Sequence, residues 1–178
     1  HTIAAQEADR SFVQEYSPSK LLPKGQFEVR HYNNLYTQNR VNVDGSPVDL
    51  EERQTFLTSF FEFTYGSDAG RRWNLGFDLW LNADRYDSVR SANPLRVLSR
   101  EGAVFQRAEL SYVGLRLRYV PIAHMPNLSF QTRLLLPIAP NPEQPRFLTH
   151  DRTSWWTQLF YDYTRGKYQL FFSGELLY

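Results

Sequence analysis

Between Trp73 and Asp84 the chain alternates without a break. Trp73, Leu75, Phe77, Leu79, Leu81 and Ala83 fall on one parity; Asn74, Gly76, Asp78, Trp80, Asn82 and Asp84 fall on the other. A period of two sustained over this length puts successive side chains on opposite faces of an extended strand and is incompatible with an amphipathic helix. The pattern recurs along the chain. Leu57, Phe61, Phe63 and Tyr65 oppose Gln54, Thr58, Glu62 and Thr64, and Leu128, Phe130, Leu134 and Leu136 oppose Ser129, Gln131 and Arg133. Trp155, Leu159, Tyr161 and Tyr163 oppose Gln158, Asp162 and Thr164, while Tyr168, Leu170, Phe172, Leu176 and Tyr178 oppose Gln169, Ser173 and Glu175. A first, less regular segment runs from Phe27 to Thr37. In Val104 to Val120 the phase changes: Ala108, Leu110 and Tyr112 are apolar on even numbers, Val113, Leu115, Leu117 and Tyr119 on odd ones. A β-bulge near Tyr112-Val113 would keep both halves on one face. The count is seven strands and no helix of any length.

The connections alternate in size. A long polar stretch through Asp44-Gly45-Ser46-Pro47 to Arg53 joins the first two strands, and Gly66-Ser67-Asp68-Ala69-Gly70 joins the next two. Arg85 to Gly102 is long, Pro121 to Asn127 short, Ala139 to Thr153 long and proline-rich, and Arg165-Gly166-Lys167 tight. This predicts an all-β, antiparallel up-and-down sheet with one ornamented rim.

Composition narrows the class. The 178 residues fit one domain or one continuous sheet, and 16% aromatic content excludes disorder. A net charge of +1 argues against a nucleic-acid partner. The absence of Cys excludes zinc–cysteine sites, iron–sulfur clusters, disulfide scaffolds and thiol catalysis. No apolar run reaches the length of a transmembrane helix, but strands of a membrane barrel never produce one. Residues His1 to Gln6 carry no initiator Met, which fits a processed precursor or a fragment.

Period alone does not say whether apolar side chains point into a core or into lipid, since soluble barrels and sandwiches share it. Two features favour lipid. Tyr65, Trp73, Tyr119, Tyr163 and Tyr168 all belong to the apolar face at the short-turn ends of their strands, where an outer-membrane barrel carries its aromatic girdle. The opposite face mixes Glu62, Asp78, Glu109, Asp162 and Glu175 with Arg107, Arg116, Arg118 and Arg133. Only Lys20, Lys24 and Lys167 among the 20 basic residues are Lys. Arg suits fixed, desolvated pairs better than a solvated surface, so these nine charges are expected to form a packed polar lumen. Such a lumen serves either as a path for anionic solutes or as a salt-bridged plug.

Several segments also carry a resemblance. Tyr16-Ser17-Pro18-Ser19, Leu22-Pro23-Lys24-Gly25, Asn33-Asn34-Leu35-Tyr36-Thr37-Gln38 and Trp155-Trp156-Thr157-Gln158-Leu159-Phe160-Tyr161 resemble Gram-negative outer-membrane β-barrel proteins, nearest to transporters of the phenol-degradation meta-pathway type. The resemblance covers most of the chain from Tyr16 onward. It rests on strand and turn patterns rather than a chemical signature, and members of the group are usually longer than this chain. It implies an outer-membrane location, with lipid as the surrounding partner.

Enzymatic signatures are weak. His1, His31, His124 and His150 show no metal-ligand spacing, and there is no H-E-x-x-H. His150-Asp151 beside Thr153-Ser154 is the one cluster that could serve a rim-located lipid hydrolase; turn chemistry explains the same residues, and no G-x-S-x-G is present. Asn42, Asp44, Asp49, Glu51 and Glu52 miss the calcium-loop spacing, and Asp87-Ser88-Val89 matches only a three-residue glycosylation acceptor. The expectation is therefore a non-enzymatic barrel with no cofactor and no metal, passing a small solute. The alternatives are an accessory barrel docking other envelope proteins and, after it, the lipid enzyme. Residues 1–24 are expected as a periplasmic N-terminal segment and 25–178 as barrel strands. Seven strands would leave two open edges in lipid, so a closed barrel of ten or twelve with further strands downstream is expected.

Overall fold

The computed structural model describes residues 19–165 and 168–177; the side chains of Thr164, Arg165, Tyr168, Gln169, Phe171, Ser173 and Glu175 lie outside that description. The strands are β1 (Phe27–Val43), β2 (Ser46–Gly66), β3 (Trp73–Asp87), β4 (Ala103–Tyr119), β5 (Leu128–Pro137), β6 (Ser154–Arg165) and β7 (Tyr168–Leu177). They form one sheet in sequence order, every neighbouring pair antiparallel. The sheet curls into a half-barrel. The described residues hold no α-helix, only a three-residue 3-10 turn at Pro94–Arg96.

The first connection differs from the sequence expectation. Most of the polar stretch from Gln38 to Arg53 is not a loop but strand: Arg40 to Val43 pair with Asp49 to Ser46, and Leu50 to Arg53 are the extra residues where the register shifts before Gln54 pairs with Gln38. The actual turn is Asp44-Gly45, with φ of +49° and +82°. Both central residues at positive φ make this the primed hairpin turn that Asp-Gly favours. The alternation of this extension is short, Val41, Val43 and Val48 against Arg40, Asn42 and Asp49, and Asp44-Gly45-Ser46-Pro47 interrupts it, so the segment reads as a polar loop.

The bulge in β4 falls at Ser111. Trp80 pairs with Tyr112 and Leu81 with Leu110, which leaves Ser111 as the extra residue. Its carbonyl is not wasted: Ile138 N–H donates to it at 2.9 Å as β5 ends. The bulge keeps Ala108, Leu110, Val113, Leu115, Leu117 and Tyr119 on one face. It also turns Tyr112 to the opposite face, beside Trp80 (rings 6.0 Å apart, edge-on).

Burial is inverted relative to a water-soluble sheet. The apolar rows are the exposed ones, including Phe27, Tyr65, Leu75, Phe77, Leu115, Leu134, Leu159 and Phe172. The polar rows are buried: Glu62, Asn74, Asp78, Asp84, Arg116, Arg118, Gln131, Arg133 and Asp162. Curvature explains the burial. Arg133 on β5 reaches Glu62 on β2, three strands away, so the charged side chains fill the concave side.

Candidate functional site

The concave face is built by register. Glu62, Asp78 and Gly114 lie in one row across β2, β3 and β4, and Arg116 and Arg133 in the next, opposite each other on β4 and β5. Arg116 Nη1 contacts Glu62 Oε1 at 2.5 Å and Arg133 Nη2 contacts the same oxygen at 2.8 Å. Asp78, fully buried, sits 3.4 Å from Arg116 and 3.6 Å from Arg133 and accepts no hydrogen bond from a described residue. Its contact with the two guanidinium groups is therefore electrostatic only. Arg116 Nη2 donates to Thr64 Oγ1 at 2.8 Å, and Arg133 stacks over Phe60 and Trp156. Gly76 makes room for this: a Cβ there would stand 2.7 Å from Arg116 Nε.

The other charged residues separate into three environments. Arg107 pairs with Glu109 two residues on, at 3.0 Å through both Nε and Nη2. Its fork also donates to the carbonyls of Pro140, Asn141 and Gln144, tying the β5–β6 loop to the concave rim. Asp162 pairs with no arginine among the described residues; Ser19 N–H (3.1 Å) and the Ser19 hydroxyl both donate to its Oδ2. Arg118 pairs with no described carboxylate. Its Nε and Nη2 donate to Ser129 Oγ at 3.3 and 3.2 Å, and its guanidinium lies 4.8 Å from the Phe160 ring centre. The Glu175 side chain lies outside those described; its backbone pairs with Gln158.

Four of the five aromatic residues named from the sequence, Tyr65, Trp73, Tyr119 and Tyr163, lie on the convex face at the short-connection end. Tyr65, Trp73 and Tyr163 are exposed there. Trp73 stacks on Tyr119 with rings 5.1 Å apart, and Tyr119 meets Phe130 edge-on at 5.4 Å. The Tyr168 side chain is outside those described.

Two features escaped sequence reading. Residues 19–24 lie across the concave face at the short-connection end. Asn74, its amide oriented to suit its neighbours, accepts from Leu22 N–H at 2.8 Å and donates to Leu22 O at 3.2 Å. Gly66 is packed so closely beneath this strap that a Cβ would overlap the Pro23 carbonyl. Proline and lack of alternation gave this segment no sequence signal. The second feature is Arg85, on the convex face and buried. It chelates Asp87 (2.5–3.0 Å) and donates to the carbonyls of Arg96, Ser99 and Glu101, clamping the β3–β4 loop outside the sheet. Arg53 and Gln106 on the same face bind Arg90 O and Val97 O of that loop. The Arg85-x-Asp87 and Arg107-x-Glu109 spacings are alike, one per face and per loop. Strand alternation puts residues i and i+2 side by side, so the carboxylate orients the fork and the remaining donors hold the loop.

His150 meets Glu143 at 3.5 Å and stacks edge-on to Phe147, in a solvent-exposed part of the loop. Among the described residues no group of His, Asp and Glu is arranged to hold a metal ion. No protein-family model, curated protein or solved structure matches the chain.

Proposed function

We propose that this sheet is part of a transmembrane β-barrel of a Gram-negative outer membrane, with the convex apolar face in lipid and the concave charged face lining an interior through which a small solute passes. The inverted burial carries the reading: a sheet that exposes its Leu and Phe rows while burying Asp and Arg is stable where the surroundings are apolar and the enclosed side is polar. Dimensions support it. On β3 the apolar row runs from Trp73 to Ala83, and the next residue on that face is Arg85, bound to the clamped loop. At about 3.3 Å per residue and a tilt near 40°, that row is roughly 25 Å tall, the height of an outer-membrane apolar band. The outer edges of β1 and β7 pair with nothing among the described residues, and both strands run in the same direction. Antiparallel closure therefore calls for an odd number of further strands, consistent with a barrel of ten or twelve.

Planar-bilayer recording of the purified full-length protein tests conduction. The pore reading expects stepwise conductance that rises when the strap contact is removed by Asp162→Ala. A specific observation favours the second reading, an accessory barrel: the strap and the Glu62–Arg116–Asp78–Arg133 network occupy the concave side. A silent bilayer for both proteins, with stoichiometric envelope partners on purification, would replace the pore by that reading.

A further inference from the structure

On the concave side, between the strap and β1–β5, lies a cavity of about 440 Å³. Its charged lining is Lys20, Glu28, Arg30, Glu62, Arg116 and Arg118. Most of these are spoken for within the wall. Arg30 Nε binds Glu28 at 2.9 Å, and Arg116 binds Glu62. Arg118 and Lys20 are left without a described carboxylate, and their cases differ. Lys20 is exposed, so water solvates it. Arg118 is 8% exposed, held by one serine hydroxyl and a phenyl face. A buried guanidinium with only neutral partners is costly, because neither a hydroxyl nor a ring returns what desolvation takes away. The fork also has donors beyond the two that reach Ser129.

We infer that this cavity binds a small organic monocarboxylate, its oxygens received by Arg118 with Lys20 at the entrance. The inference rests on the concave face being an enclosed interior, as proposed above, and names the class of solute it takes. Charge sets the sign and the apolar wall sets the class. Lys20, Arg30, Arg116 and Arg118 against Glu28 and Glu62 leave two positive charges in excess, one buried at Arg118 that receives a carboxylate and one at the exposed entrance, whereas inorganic phosphate has no apolar body to set against the rest of the wall. The remaining wall includes Leu21, Leu22 and Tyr32, which suits an apolar body, and the volume is that of a small-ligand pocket. The strap forms one wall, so the same segment that crosses the concave face shapes the site.

Isothermal titration of the detergent-folded full-length protein tests this with hexanoate, hexanol and inorganic phosphate as probes. Saturable hexanoate binding is expected, with hexanol and phosphate each at least about tenfold weaker. Arg118→Gln should weaken hexanoate about tenfold or more and leave hexanol unchanged, and Arg118→Lys should restore part of the loss. If Arg118→Gln does not fold, Lys20→Gln at the exposed entrance serves instead, with a several-fold loss expected. Absence of saturable hexanoate binding, equal binding of hexanol, tighter binding of phosphate, or indifference to the charge variant would each overturn the inference. The titration needs no conductance. A silent bilayer with intact hexanoate binding would thus refute the pore and keep the site, and the converse would do the reverse.

Discussion

Leu115→Arg separates a lipid-facing from a water-facing convex surface. Leu115 is 68% exposed, in line with Phe77 on β3 and Leu134 on β5. It lies four residues from Tyr119, the girdle residue of its strand. At about 3.3 Å per residue and a tilt near 40°, that is roughly 10 Å inside one boundary of a 25 Å band, close to the midplane. Arg at such a depth costs about 2–4 kcal/mol in an outer-membrane barrel. On a sheet surrounded by water the same change at so exposed a site would stay within about 0.5 kcal/mol. The two environments therefore differ by more than the error of a good unfolding curve. Guanidinium unfolding of wild-type and variant in phospholipid vesicles, followed by tryptophan fluorescence, gives the difference directly. Asp78→Asn, on the concave face of the adjacent strand, controls for general disruption and should still fold. A loss below about 0.5 kcal/mol for Leu115→Arg would refute the assignment of the faces.

Four further outcomes follow from the geometry. Glu62→Gln leaves Arg116 and Arg133 with the more distant Asp78 alone, and should cost about 3–5 kcal/mol in the same unfolding assay. Arg85→Ala releases the β3–β4 loop, whose Arg90, Arg96 and Arg100 are trypsin sites; loss of even one charge-assisted bond of about 1.5 kcal/mol predicts cleavage at least about tenfold faster, and an unchanged rate would refute the clamp. At the first hairpin, Gly45→Val puts a β-branched residue at φ +82°, which should lower stability by about 1–2 kcal/mol, while Ser46→Val should not. Asp49, beyond the apolar band, is held below the usual carboxylate range by hydrogen bonds from Arg90 and Arg40. A depressed carboxyl means the contacts are present at neutral pH and lost as pH falls through its lowered value. A carboxyl-carbon NMR titration should show that value moving up in Arg90→Gln and staying put in Arg71→Gln.

Where one face differs from the other, the sequence was readable. In β3, strict parity from Trp73 to Asp84 located the strand and both its faces, and in β4 the phase change located the bulge to within two residues. Tyr112 was misassigned because an apolar ring carries no information about which side of a bulge it follows. The hairpin extension reads as a loop because Val41, Val43 and Val48 give only a short apolar row among charged residues and Pro47, although Asp44-Gly45 itself announces the turn. Within the charged set, the type of residue was legible and the partner was not. Arg107 bonds its own strand and a loop, Asp162 bonds Ser19 of the strap, and Arg118 bonds Ser129. Each choice depends on how far the sheet curls and where a non-periodic segment lies, neither of which is written in local alternation.

The central claim is that neighbouring residues of one strand face lipid and a polar interior respectively, and β6 offers adjacent tryptophans to test it. Trp155 lies on the convex face, 55% exposed and level with Leu134, while Trp156 lies on the concave face beneath Arg133. Two proteins retaining only one of these indoles, the other tryptophans replaced by Phe, are reconstituted in vesicles of lipids brominated along the acyl chain. The account predicts strong quenching of Trp155 and little of Trp156. Equal quenching of the two, or quenching of neither, would contradict it.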